Sequence, residues 1–137
     1  MRIQLFSDLH LERYPAFVPL IDPATDVVVL AGDIGSYQSG SRLTDEDFGL
    51  ERISPLRPGA TRARVLYIPG NHEFDGLDFY EAYARLRARC ARLGIAWLDR
   101  ETLVIGNVRF IGTTLWSDFD ALALQEQDLT KQLQKRE

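Results

Sequence analysis

Three short runs of large apolar and β-branched residues, Ile3–Phe6, Val27–Ala31 and residues 65–68, constrain the fold of this chain more than any other feature. The last two are apolar without a break and lack the alternation of a strand with one wet face, so they read as buried strands of a parallel sheet. In open α/β sheets, ligands gather outside the carboxyl ends of the strands, where loops bring side chains together. Those ends carry Ser7-Asp8-Leu9-His10, Gly32-Asp33 and Gly70-Asn71-His72-Glu73, which use both histidines of the chain.

The remaining segments sort by their punctuation. Pro15, Pro19 and Pro23 argue against a long crossover helix after the first strand. Residues 36–61 are polar and rich in Gly, Ser and Pro, and read as a surface excursion with one short helix capped by Thr44, with Asp47 in its first turn and Phe48 and Leu50 or Ile53 facing inward. Asp78 followed by Glu81 opens a predicted helix over residues 79–93, with Phe79, Tyr83, Leu86, Cys90 and Leu93 as its apolar stripe. Arg85, Arg87, Arg89 and Arg92 then form a solvated face. Residues 95–98, 102–105 and 108–113 read as strands, the last two joined in a hairpin across Gly106-Asn107. Beyond Phe119 the texture becomes helical, with Leu122, Leu129 and Leu133 on one face, and no stop signal follows before Glu137.

Bulk properties exclude several classes. At 137 residues, 45% hydrophobic and 26% charged, the chain matches a soluble single domain. A net charge of −4 and a pI near 5.2 lack the footprint of a general nucleic-acid binder or an anionic-membrane binder. Cys90 is the lone cysteine, so no disulfide forms within the chain. The four residues before Ser7 are too few for the apolar core of a signal peptide, and the chain is expected to be cytoplasmic, with no membrane partner.

Metal-assisted phosphoester chemistry needs hard oxygen ligands mixed with imidazole on a rigid scaffold. Asp8 and His10, two apart, would point the same way in an extended backbone and grip one ion. Asp33 can bridge two ions with its two oxygens, Asn71 adds a neutral oxygen, and His72 can protonate a departing oxygen. Taken singly, each of these is an ordinary turn or surface residue. Their order and their shared position after apolar runs make the case.

On these residues the sequence resembles the calcineurin-like metallophosphoesterase family, whose signature is Asp-x-His, Gly-Asp and Gly-Asn-His-Asp/Glu, then a further His and Gly-His-x-His. The first three motifs match as Asp8-Leu9-His10, Gly32-Asp33 and Gly70-Asn71-His72-Glu73. The resemblance implies an α/β fold, a two-sheet sandwich flanked by helices, and hydrolysis of phosphomonoesters or phosphodiesters with paired divalent metals such as Mn, Fe, Zn or Ni. It further implies that Asp8, His10 and Asp33 hold one metal, that Asp33 and Asn71 serve the second, and that His72 is the general acid.

No histidine follows His72, so the later family motifs are absent. The expected organisation is therefore residues 1–117 as the N-terminal part of a metallophosphoesterase domain, holding one sheet and its covering helix, and residues 118–137 as a severed connecting helix. The sheet face away from the covering helix is expected to be bare, and to be met by a homo-oligomer partner or by the absent C-terminal half. The competing reading within the family is a non-catalytic binding or interaction remnant. A flavodoxin-like nucleotide or receiver module is weaker, because it gives Gly70-Asn71-His72-Glu73 no role and no glycine-rich loop follows the first run.

Overall fold

A computed structural model describes residues 1–60 and 62–116. The predicted strands form where the sequence places them: β1 (Ile3–Phe6), β2 (Val27–Ala31) and β3 (Arg64–Ile68), followed by the short β4 (Ala96–Trp97). They make one parallel sheet in the order β1-β2-β3-β4, with Leu5 opposite Val29, Val29 opposite Leu66, and Leu66 opposite Ala96. A hairpin of β5 (Glu101–Ile105) and β6 (Val108–Gly112) forms a separate antiparallel sheet. The architecture is mixed α/β, with a four-stranded parallel sheet and few helices.

Period-two alternation divides the parallel sheet between two apolar clusters. Val28, Leu30, Val65, Tyr67 and Trp97 face the larger one with Leu86 and Cys90 of helix α1 (Phe79–Arg92). Val27, Val29, Leu66, Ile68 and Ala96 face the smaller one, where Leu98 and the hairpin residues Leu103, Ile105 and Phe110 cover them. The second face is thus not bare as the sequence suggested, because the hairpin folds back over β2 to β4. Gly112 permits this approach: a Cβ there would lie 2.8 Å from both Ile68 and Leu98. Over β1 the same face stays open, and Ile3 and Leu5 remain 51% and 64% exposed.

Helix α1 starts as predicted, with the Asp78 side chain accepting from the Glu81 backbone N–H at 3.0 Å, and ends at Leu93 before Gly94 in the left-handed region. Its buried stripe is Ala82, Leu86 and Cys90, while Phe79 at its first turn joins an aromatic group with Phe74 and Trp116 at the surface. Arg87 and Arg89 pair with Glu101 and Glu46.

The segment after β2 agrees with expectation in part. Phe48, Leu50 and Ile53 face inward as the sequence predicts, but their burial in the main cluster means that the segment is not a surface excursion. Nor does Thr44 cap a helix there. The Asp45 carboxylate takes the N–H groups of Asp47 and Gly49, Phe48 and Gly49 adopt positive φ, and only a 3₁₀ turn, Leu50–Ile53, follows. The predicted tail helix over residues 118–137 lies outside the described residues.

Candidate metal centre

Two glycines bring the second and third motifs into contact. Gly32 has φ of +86°, and a Cβ on it would fall 2.8 Å from the Cα of Gly70. A Cβ on Gly70 would fall 2.1 Å from Oδ1 of Asp33 and 2.7 Å from its backbone nitrogen. The loops after β2 and β3 therefore touch backbone to backbone, and only residues without side chains fit.

Glu73 fills the space beneath. It is fully buried, and its carboxylate accepts from the backbone N–H groups of Gly70 at 2.8 Å, Ile34 at 2.8 Å and Asp33 at 3.2 Å. Burial raises its pKa above the ordinary carboxylate range, opposed by these N–H donors. Asp33 in turn accepts from the backbone N–H of His72 at 3.1 Å through Oδ1. The third motif thus holds the second by its main chain.

The first loop is tied to the second rung by rung. Asp8, His10 and Leu11 donate their N–H groups to the carbonyls of Gly32, Asp33 and Ile34 at 3.1, 3.0 and 2.9 Å. Asp8, His10 and Asp33 all have positive φ, of 56°, 46° and 54°. For residues with a Cβ this conformation costs about 1–2 kcal/mol each, and such strain gathers at functional sites. The extended geometry that would align Asp8 with His10 does not occur, because β1 ends at Phe6 and both residues sit in the left-handed region.

Among the described residues, His10, Asp33 and His72 form a group whose ligand atoms all lie within 4.8 Å of one another. Atoms bound to one ion at about 2.1 Å can be no more than about 4.2 Å apart, so only a small closure separates this set from a coordination shell. A carboxylate with one or two imidazoles suits a borderline divalent cation. The two rings meet edge to face, with centroids 5.2 Å apart. Asp8 falls outside this group: its carboxylate is exposed and accepts from the Ser7 hydroxyl. Asn71 is exposed at a cleft of about 350 Å³ that it lines with Pro69 and Thr113.

Each histidine has a carboxylate on its Nδ1. His10 Nδ1 lies 3.0 Å from Oε1 of the buried Glu12, and His72 Nδ1 lies 2.5 Å from Oδ2 of Asp75. Such a partner fixes the tautomer and turns Nε2 outward. The Asp75 hydrogen bond raises the pKa of His72 above its ordinary value against a smaller opposing effect of burial, and the charge of Asp33 adds to the rise. Sequence reasoning passed over Glu12 and Asp75. Their spacing was the available signal, two residues after His10 and one turn after His72.

Comparison with known proteins agrees with this geometry. The family model described as calcineurin-like phosphoesterase matches residues 1–129. A protein of Acanthamoeba polyphaga mimivirus, described as uncharacterized, is 29% identical over 140 aligned positions, covering 86% of this chain and 45% of its own length. The chain thus spans less than half the length of that curated relative. No solved structure matches. With one residue from each of its three leading motifs meeting in the His10, Asp33 and His72 group, and the family model spanning nearly its whole length, the chain belongs to the calcineurin-like phosphoesterase family.

Proposed function

We propose that this chain carries the leading half of a metal-dependent phosphoester hydrolase site, acting on small-molecule phosphomonoesters or phosphodiesters by attack of water at phosphorus. The observation that carries this reading is the His10, Asp33 and His72 group with Glu12 and Asp75 behind its rings. His10 and Asp33 are the residues that would hold a divalent cation, joined by Asp8 and Asn71 as further oxygen donors. When bound, divalent cations at such a site neutralise charge on the phosphoryl group and favour ionisation of water. His72 acts as general acid: Asp75 holds the imidazolium from Nδ1, and the proton on Nε2 passes to the departing oxygen. Glu12 takes up Nδ1 of His10, which leaves Nε2 as the ring nitrogen that would face a cation.

A non-catalytic binding member of the same family is the second reading, and metal content measured beside turnover separates the two. The cytoplasm is the proposed location. The lone thiol, Cys90, is buried, and burial pushes its pKa up to about 12, which suits an inert reduced cysteine. No described helix is long and apolar enough to cross a membrane.

Elemental analysis of protein purified without chelator tests the site. His10→Ala should lose most of the bound metal, whereas His72→Ala should keep it and lose turnover of an aryl phosphodiester. Equal metal loss in both variants would reassign His72 from proton transfer to ligation. Full metal content without turnover would select the non-catalytic reading.

A further inference from the structure

A cavity of about 650 Å³ opens beside the first motif, lined by Asp8, Leu9, Arg13, Tyr14, Phe17 and Arg42 among others. Its volume falls in the range of about 300–1,000 Å³ typical of small-molecule sites. Tyr14 and Phe17 are 68% and 47% exposed, so both rings are open at the same cavity. Among the described residues Arg13 and Arg42, like most of the arginines and unlike Arg52, Arg87 and Arg89, have no salt-bridging carboxylate, so both guanidinium groups are open to a ligand at this wall. In a chain of net charge −4, two unpaired guanidinium groups beside two open rings mark a local site for an aromatic anion.

The cavity hangs on the metal centre through the backbone. The carbonyl of His10 accepts from the N–H groups of Arg13 at 2.8 Å and Tyr14 at 3.2 Å, and Phe17 donates its N–H to Tyr14 at 2.9 Å. Arg42 reaches the same wall because its N–H donates to the Glu12 carbonyl at 2.9 Å. His10 therefore faces Asp33 and His72 with its ring, while its carbonyl anchors the turn that carries the aromatic residues. Asp8, exposed and outside the metal group, lines this cavity two residues before His10.

We infer that this cavity receives the organic part of the substrate, and that the substrate is an aromatic phosphoester carrying a second anionic group. The phosphoryl group lies at His10, Asp33 and His72, the ring stacks on Tyr14 and Phe17, and the second anion meets Arg13 and Arg42. This inference rests on the phosphoesterase reading for the position of the phosphoryl group. The cavity itself makes separate demands.

The test is isothermal titration of the full chain, with and without Mn, using three phosphonates that resist hydrolysis: methylphosphonate, benzylphosphonate and para-carboxybenzylphosphonate. Benzylphosphonate should bind about tenfold tighter than methylphosphonate, since aromatic stacking contributes on that scale. The carboxylated compound should gain a further factor of about five. Tyr14→Ala and Phe17→Ala should each remove most of the benzyl gain, and Phe17→Tyr should restore it. Arg13→Ala and Arg42→Ala should remove the carboxylate gain and leave the benzyl gain intact. Equal affinities for the three compounds, or wild-type affinities in the Tyr14 and Phe17 variants, would overturn the inference. Failure of the phosphoesterase reading looks different: aromatic preference that depends on Tyr14, in a chain that takes up no Mn, supports the cavity and removes the metal site. Uptake of Mn with no aromatic preference removes the cavity alone.

Discussion

Gly70 lies so close to Asp33 that a methyl group on its Cα would sit 2.1 Å from Oδ1 of the aspartate. The contact explains a motif that composition alone would class as a turn. The glycine is there because its neighbour's carboxylate must pass, and the carboxylate is held by the next peptide along, the N–H of His72.

Gly70→Ala should therefore push Asp33 out of the ligand group and cost about 1–3 kcal/mol of stability, the usual penalty of overpacking. Gly76→Ala provides the control. Gly76 has φ of +71° with open space around its Cα, so its substitution strains only the backbone and leaves the metal site untouched. Metal content measured beside thermal melting separates the two. Retention of full metal content in Gly70→Ala would show that the close approach does not position Asp33.

Glu73→Gln should destabilise the chain by about 1–3 kcal/mol, because an amide offers one oxygen where three backbone N–H groups now converge on a carboxylate. The same variant should loosen all three loops, since Asp33, Ile34 and Gly70 depend on that acceptor, and Ile34 holds Leu11. Urea denaturation reads the first effect, and hydrogen exchange at Asp33, Ile34 and Gly70 reads the second. Unchanged exchange at those amides would remove Glu73 from its central place.

The His72–Asp75 pair has a definite pH signature in metal-free protein. The folded-state pKa of His72 is raised above its ordinary 6.5, first by the Asp75 hydrogen bond. The stabilisation it contributes is thus fully present below about pH 6.5 and is lost as pH rises through the folded pKa. Asp75→Asn should lower the His72 pKa and flatten that part of the stability profile. NMR titration of the imidazole gives the pKa directly, and an Asp75→Asn variant that titrates as wild type would exclude the pair as the cause.

Ile3 and Leu5 leave apolar surface open on the β1 part of the face that the hairpin covers elsewhere. We propose that a second copy of the chain meets it. Replacing both with threonine keeps strand propensity while removing apolar area. The double variant should sediment as a monomer at concentrations where the wild type self-associates. Identical sedimentation of the two would show that this strip takes no part in association.

How much of this was legible beforehand depended on the range of the interaction. β1, β2, β3 and α1 are legible along the chain because unbroken apolar runs and a capping aspartate act over a few residues, and the same runs put Asp8, His10, Asp33, Asn71 and His72 at strand ends. The family resemblance followed from those same motifs. Long-range packing settled that the hairpin folds back over β2 to β4, since that depends on Gly112 meeting Leu98 and Ile68. It also decided that an Asp45 turn and a 3₁₀ turn stand where a helix capped by Thr44 was expected, that His10, Asp33 and His72 form one group while Asp8 lines the neighbouring cavity, and that Glu12 and Asp75 stand behind the two rings. Each of these turns on positive φ angles or on contacts between residues far apart in the chain. Local propensity and hydrophobic period do not encode them, because a left-handed aspartate or histidine is unfavourable in isolation and persists only where the surrounding hydrogen bonds hold it.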